Sequence, residues 1–170
     1  MIVFIIFIVL SSAIAENTST ISYSELITFE SCEYQVNFPT KTKKKSVFAN
    51  GINSIMVQSI YDGKSPFMRA ECFPLAQPKE TLSQLRNMLE NQARISGIDN
   101  PEITIDKSNS KLGVIGTYSG IKKAGGFDFK YYGKVIVGKS SLLSLLAGEE
   151  LKKFPSDKTV YFLNTVDLKR

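Results

Sequence analysis

PKETLSQLRNMLENQARISG, residues 78–97, is the stretch whose reading decides the fold. Leu82, Leu85, Met88, Leu89 and Ala93 recur at intervals of three and four, which places them on one stripe of an α-helix. Glu80 in the first turn and Arg94 in the last complement the helix dipole, and Gly97 stands where a left-handed cap ends a helix. Arg86 with Glu90, and Glu90 with Arg94, are four apart and are expected to pair on the solvent side. A helix with one apolar stripe must lay that stripe on something. The segments on either side alternate like strands, so the expected fold is α+β: a single domain over residues 25–170, with an antiparallel β-sheet covered by helices.

Working outward toward the N-terminus, residues 67–73 return as a strand after a turn at 62–66. Before that turn, 46–49 and 52–61 read as strands separated by Asn50-Gly51. Residues 32–38 form the clearest strand and stop at Pro39, while 26–29 fit either a short strand or a helical turn. Between them lies TKTKKKS, with Lys41, Lys43, Lys44 and Lys45, read as a solvated hairpin or loop, or as a patch for an acidic partner, phosphate or membrane surface. No aromatic residue interleaves these lysines to stack on bases, so nucleic acid is not expected.

C-terminal to the helix, 102–106 and 112–118 read as strands around a turn at 108–110. SGIKKAGG, residues 119–126, reads as a glycine-rich hairpin tip carrying Lys122 and Lys123, and 127–137 as one long strand or two. The segment 140–154, SSLLSLLAGEELKKF, is ambiguous: its leucines and its Glu-Glu-Leu-Lys-Lys favour helix, yet 140–146 also fits a wholly buried strand. Pro155 and Ser156 are start signals for a terminal helix with Val160, Phe162 and Leu163 on its apolar face. Residues 167–170 form a tail or a last edge strand.

The first fifteen residues, MIVFIIFIVLSSAIA, carry no charged side chain, and Ala13-Ile14-Ala15 has the small-x-small pattern of a signal-peptidase site. The expectation is a cleaved leader, cut after Ala15, although the n-region lacks Lys and Arg and an uncleaved anchor is the rival reading. The apolar run is shorter than the roughly 20 residues a membrane span needs. Residues 16–24 read as a flexible lead-in, with a formal glycosylation sequon at Asn17-Thr18-Ser19. The expected location is therefore periplasmic or secreted, with no membrane span after processing. In such a compartment Cys32 and Cys72 are expected to form one disulfide. Strand parity agrees, since Cys32 shares a face with Tyr34, Val36 and Phe38, and Cys72 shares one with Met68 and Ala70. Two free buried thiols would require a reducing compartment.

This order of elements resembles the PsbP-like (Mog-type) α/β/α sandwich, including the DcrB-like exported proteins. The resemblance rests on Tyr34-Gln35-Val36-Asn37-Phe38-Pro39, on the helix over 79–97, and on Phe154-Pro155-Ser156 followed by Phe162-Leu163-Asn164-Thr165-Val166. It implies a strand at 140–146. It also implies a non-enzymatic accessory or binding domain, the role of most members. One branch binds a small GTPase in the nucleus, which does not suit an exported chain. The photosystem branch is linked to metal ions partly through histidine, and this chain has none. No site residue carries over.

The composition narrows the chemistry. There is no histidine and no tryptophan, and 21 Lys and Arg against 16 Asp and Glu leave a modest net charge of +5. Without histidine a Ser-His-Asp or Cys-His enzyme and the usual zinc sites are excluded. A Ser/Lys dyad at Lys139-Ser140-Ser141 is the remaining hydrolase arrangement, set against an ordinary polar turn. Asp99, Glu102 and Asp106 lack the spacing of a calcium loop, and Gly113-x-x-Gly116 and Gly125-Gly126 lack the Lys-Ser/Thr of a phosphate loop. Tyr118, Tyr131 and Tyr132 with Phe127 and Phe129 form either an aromatic ligand surface or core, and if Tyr131 faces inward then Tyr132 is the contact candidate. No cofactor, metal or catalytic residue is expected. The leading expectation is an exported accessory protein contacting a protein or an anionic surface through Lys41, Lys43, Lys44, Lys45, Lys122, Lys123 and Tyr132. The alternative is a small-ligand carrier with its pocket between helix 79–97 and the sheet.

Overall fold

The structure, a computed structural model, describes residues 21, 23–30, 32–49, 52–60 and 66–169. The leader, the Ala15 cleavage position, the sequon and the turns at 50–51 and 61–65 lie outside the described residues.

Two antiparallel sheets are built. The larger has seven strands in the order β3-β4-β5-β9-β8-β7-β6: β3 (Thr42–Ala49), β4 (Ile52–Ser59), β5 (Phe67–Pro74), β6 (Glu102–Ser110), β7 (Gly113–Ala124), β8 (Phe127–Val137) and β9 (Ser141–Glu150). The smaller has the order β1-β2-β10, from β1 (Glu25–Thr28), β2 (Tyr34–Phe38) and β10 (Val166–Leu168). Helix α1 (Pro78–Ile95) carries the chain from β5 at mid-sheet to β6 at the far edge, and the meander β6-β7-β8-β9 then returns to pair with β5.

The helix forms as its sequence predicts. Pro78 lies in its first turn, Glu80 follows, and Gly97 adopts φ +76 immediately after the Ser96 cap. The expected ion pairs do not form; the Arg94 guanidinium donates to Asn91 Oδ1 at 2.5 Å instead. Exposed pairs of this kind contribute only a few tenths of a kcal/mol, roughly 0.3–0.5, so neighbouring hydrogen bonds readily displace them. Leu85, Leu89 and Ala93 bury the stripe against β6, β7 and β8.

Close approach of α1 depends on missing side chains in the sheet. Leu85 and Leu89 occupy the space a Cβ on Gly116 would take, and Ile98 does the same at Gly120. Two tyrosines cover glycines directly opposite them: Tyr118 lies on Gly133, and Tyr131 on Gly148. The rings thereby lie flat on the sheet and fill the layer beneath the helix. At the far end of this hairpin, Gly125 (φ +59) and Gly126 (φ +81) make the two-residue turn, so the expected tip at 119–126 is strand as far as Ala124.

The segment that local propensity left open is strand. β9 is buried from Ser141 through Glu149, with β5 on one side and β8 on the other. A strand covered on both faces reads as a continuous apolar run rather than an alternating one. Only Leu151–Lys153 turn helically, as a single 3-10 turn.

The expectation of a sheet covered by helices is corrected on the second face. There the small sheet and α2 (Asp157–Asn164) form the covering layer, and an eight-residue helix cannot span seven strands. The alternation of β2 explains the layer. Tyr34, Val36 and Phe38 are buried and pack with Cys72, Leu143, Leu145 and Ile136 of the large sheet. Phe38 also meets Phe162 of α2, with ring centroids 4.7 Å apart. Lys134 of β8 reaches into this layer, where its ammonium donates to the Leu163 carbonyl at 2.8 Å near the end of α2 and burial pushes its pKa down.

Cys32 and Cys72 are disulfide-bonded, joining the approach to β2 with β5 and so tying the two layers together. A sequence separation of 40 corresponds to about 4 kcal/mol of chain-entropy stabilisation. Cys72→Ala is expected to cost an amount of that order in urea denaturation. Gly133→Ala drives a methyl into the Tyr118 ring. It is expected to cost about 1–3 kcal/mol by the same measurement, with no change in disulfide content.

Candidate functional site

Of the two solvated forms expected for the lysine run, the structure has the hairpin: the run is strand, not loop. Lys43, Lys44 and Lys45 lie within β3, paired with Gln58, Val57 and Met56, and Lys41 immediately precedes the strand. β3 is an edge of the seven-stranded sheet, and all four lysines are exposed. Lys41 accepts from Ile60 N–H at 2.8 Å, so by the alternation of an antiparallel pair Thr42, Lys44, Ser46 and Phe48 turn their backbone groups away from β4. The Thr42 N–H is satisfied by Glu25 Oε2 at 3.0 Å. Beyond it, Lys44, Ser46 and Phe48 continue an open backbone row, and the Phe48 side chain is 70% exposed.

The second lysine group is elsewhere. Lys122 and Lys123 lie on β7, five strand spacings from β3, roughly 24 Å at the usual inter-strand distance. Lys122 Nζ donates to the Ser96 carbonyl at 3.3 Å, at the C-terminal end of α1. Tyr132 is half-buried and packs against the core beneath the small sheet, because β8 is an interior strand with both faces covered. The residues expected to share one contact surface are therefore not brought together; the four β3 lysines are.

Lys139 and Ser140 lie in the turn between β8 and β9, Ser141 opens β9, and a carboxylate occupies the turn. Glu33 Oε1 accepts from Ser140 N–H at 3.0 Å, Ser141 N–H at 3.2 Å and the Ser141 hydroxyl at 3.1 Å, while Glu33 N–H donates to Ser141 Oγ at 3.1 Å. The Ser141 hydroxyl thus gives and receives within one buried contact, with no lysine on it. At the other end of β9, buried Glu149 accepts from Ser156 N–H at 2.9 Å, Ser156 Oγ at 2.8 Å and Thr159 Oγ1 at 2.5 Å, at the start of α2. Both carboxylates fasten chain segments together.

Among the described residues, hollows open beside both layers. A cleft of about 400 Å³ beside the disulfide is lined by Phe29, Glu30, Ser46, Asn53 and Ile55 among others. A groove of about 430 Å³ runs between α1 and the β6–β7 edge, lined by Leu82, Ser83, Leu85, Arg86, Ile105, Lys107 and Val114. The latter lies where the carrier reading expects its pocket. Among the described residues no group of three or more Cys, Asp or Glu is placed to hold a metal ion, and no helix is long and apolar enough to cross a membrane. Sequence reading missed Phe48, Glu33 and Glu149; a lone aromatic and two carboxylates in charged surroundings carry no spacing signal.

Comparison of the chain with protein-family models finds no match, and comparison with curated proteins finds none either.

Glu33→Ala removes the acceptor for two backbone N–H groups and a hydroxyl, and is expected to destabilise by about 1.5–3 kcal/mol. A pH effect arises beside it at Tyr34, whose hydroxyl donates to the Leu112 carbonyl at 2.6 Å. Burial first, and the Glu33 charge second, hold this phenol well above its ordinary pKa of 10.0. The unfolded chain then loses this proton before the folded one, so stability is full below about pH 10 and falls as pH rises beyond it. Tyr34→Phe is expected to be less stable by about 1 kcal/mol at pH 8, with its deficit shrinking by pH 12 in denaturant titrations.

Proposed function

We propose that this chain is an exported, non-enzymatic binding protein that holds an extended acidic segment of a partner protein along the β3 edge. The observation that carries this reading is the β3 edge itself: eight residues in unbroken register with β4, an open outer backbone row, and four exposed lysines. An added strand would take its main-chain hydrogen bonds from Lys44, Ser46 and Phe48, and its carboxylates would meet the ammonium groups on both faces. None of the four lysines has an ion-pair partner among the described residues, so their charge is available. The apolar leader and the Cys32–Cys72 bond support an oxidising, exported setting. An accessory role is also what the PsbP-like resemblance of the sequence implies.

Edge lysines also discourage sheet-to-sheet aggregation, and that function alone makes a different prediction. If the edge is a binding site, an extended glutamate-rich peptide binds in fluorescence anisotropy with an affinity that falls as salt rises. Lys43→Glu, Lys44→Glu and Lys45→Glu together are expected to weaken it about tenfold or more, while Lys122→Glu with Lys123→Glu leaves it unchanged. Ser46→Pro removes one outward N–H without touching a bond to β4, and is expected to weaken the peptide while sparing the fold. Equal binding by all of these variants excludes the β3 edge.

A further inference from the structure

The two edges of the large sheet carry different chemistry. Where β3 offers charge and open backbone, the β6 edge offers an apolar groove beneath the first half of α1. The apolar stripe of α1 begins at Leu82, one turn before Leu85, but the sheet does not close over it. Leu85 is 1% exposed, whereas Leu82 is 38% exposed. Ile105 and Val114, which face α1 from β6 and β7, are only partly buried. The helix thus overhangs the last strand, leaving four apolar side chains, Leu82, Leu85, Ile105 and Val114, around a hollow of about 430 Å³, within the range of about 300–1,000 Å³ typical of small-molecule sites.

The rim decides what chemistry fits. Arg86, one turn after Leu82 on the helix, and Lys107, two residues after Ile105 on β6, line the same groove from its two walls. Among the described residues no acidic side chain lines it. Arg86 does not pair with Glu90, and neither Arg86 nor Lys107 has an ion-pair partner among the described residues. A neutral apolar ligand would leave both cations without a partner, and a small hydrophilic anion would leave the leucine and the β-branched residues uncovered. A molecule with both an apolar tail and an anionic head satisfies each.

We infer that the α1–β6 groove is a binding site for a single-chain fatty carboxylate. The acyl chain lies on Leu82, Leu85, Ile105 and Val114, and the carboxylate sits between the planar fork of Arg86 and the ammonium of Lys107. This site is independent of the β3 edge, from which it is separated by the width of the sheet.

Titrating isotope-labelled protein with decanoate, and following backbone amides by NMR, tests it. The expected result is a saturable shift centred on residues 82–86, 105–107 and 114, with no saturable shift from acetate and affinity about tenfold or more weaker for 1-decanol. Arg86→Glu with Lys107→Glu, both at exposed positions, is expected to weaken decanoate about tenfold while leaving decanol unchanged. Leu82→Asp, also exposed, is expected to weaken both ligands. Shifts centred elsewhere, equal affinity for decanol and decanoate, or indifference of decanoate to the double charge reversal overturns the assignment.

Discussion

The burial of β9 on both faces is the constraint on which the other elements depend. A strand of Leu142, Leu143, Leu145, Leu146 and Ala147 exposes apolar surface in both directions, so each face needs its own layer. On one side Leu142 and Leu146 join the core beneath α1; on the other, Leu143, Leu145 and Ala147 join the core beneath β2 and α2. The two clusters lie on opposite faces of the same central strands, β5, β7, β8 and β9. Their chemistry differs as well, since the α1 side is shaped by tyrosines lying on glycines and the other by alternating aromatic and aliphatic residues of β2.

Polar groups at the ends of β9 then hold the layers in place. Glu33, from the approach to the small sheet, satisfies the turn that leads into β9, and Glu149 at the end of β9 satisfies the start of α2. The disulfide adds a covalent tie from Cys32, immediately before Glu33, to β5 beside β9. Three dissimilar attachments thus fasten the small layer to the central strands. A carboxylate drawn away from water needs hydrogen-bond donors, and backbone N–H groups with serine and threonine hydroxyls supply them here. The same Ser140 and Ser141 that look like a nucleophile in sequence serve as those donors.

Function, in this reading, belongs to the margins of the large sheet. Two of its open features are an edge strand of lysines and a groove beside the first half of α1. Both are consequences of the topology, since α1 must cross from β5 to the far edge and covers β6, β7 and β8 but not β3.

Much of this was legible beforehand. The stripe from Leu82 to Ala93, the parity of Cys32 and Cys72, the alternation of Tyr34, Val36 and Phe38, and the Ser156 cap are local patterns, and local geometry realises them. Less legible is the form of the lysine run, because charge signals exposure and a loop and an edge strand of a hairpin are both exposed. The 119–126 segment was read as a hairpin tip although only Gly125 and Gly126 turn, because strand glycines are indistinguishable from turn glycines until the covering side chain is known. Tyr132 does point away from Tyr131, as alternation requires, but the face it points to is covered by the small sheet and not by water. What the sequence alone determined is which residues alternate, where helices start and stop, and which two sulfurs can meet. Tertiary structure alone decided which strands lie at an edge, which lysines share a surface and where a helix overhangs. Those properties are set by the order of strands in the sheet, and strand order arises from contacts between residues far apart in the chain.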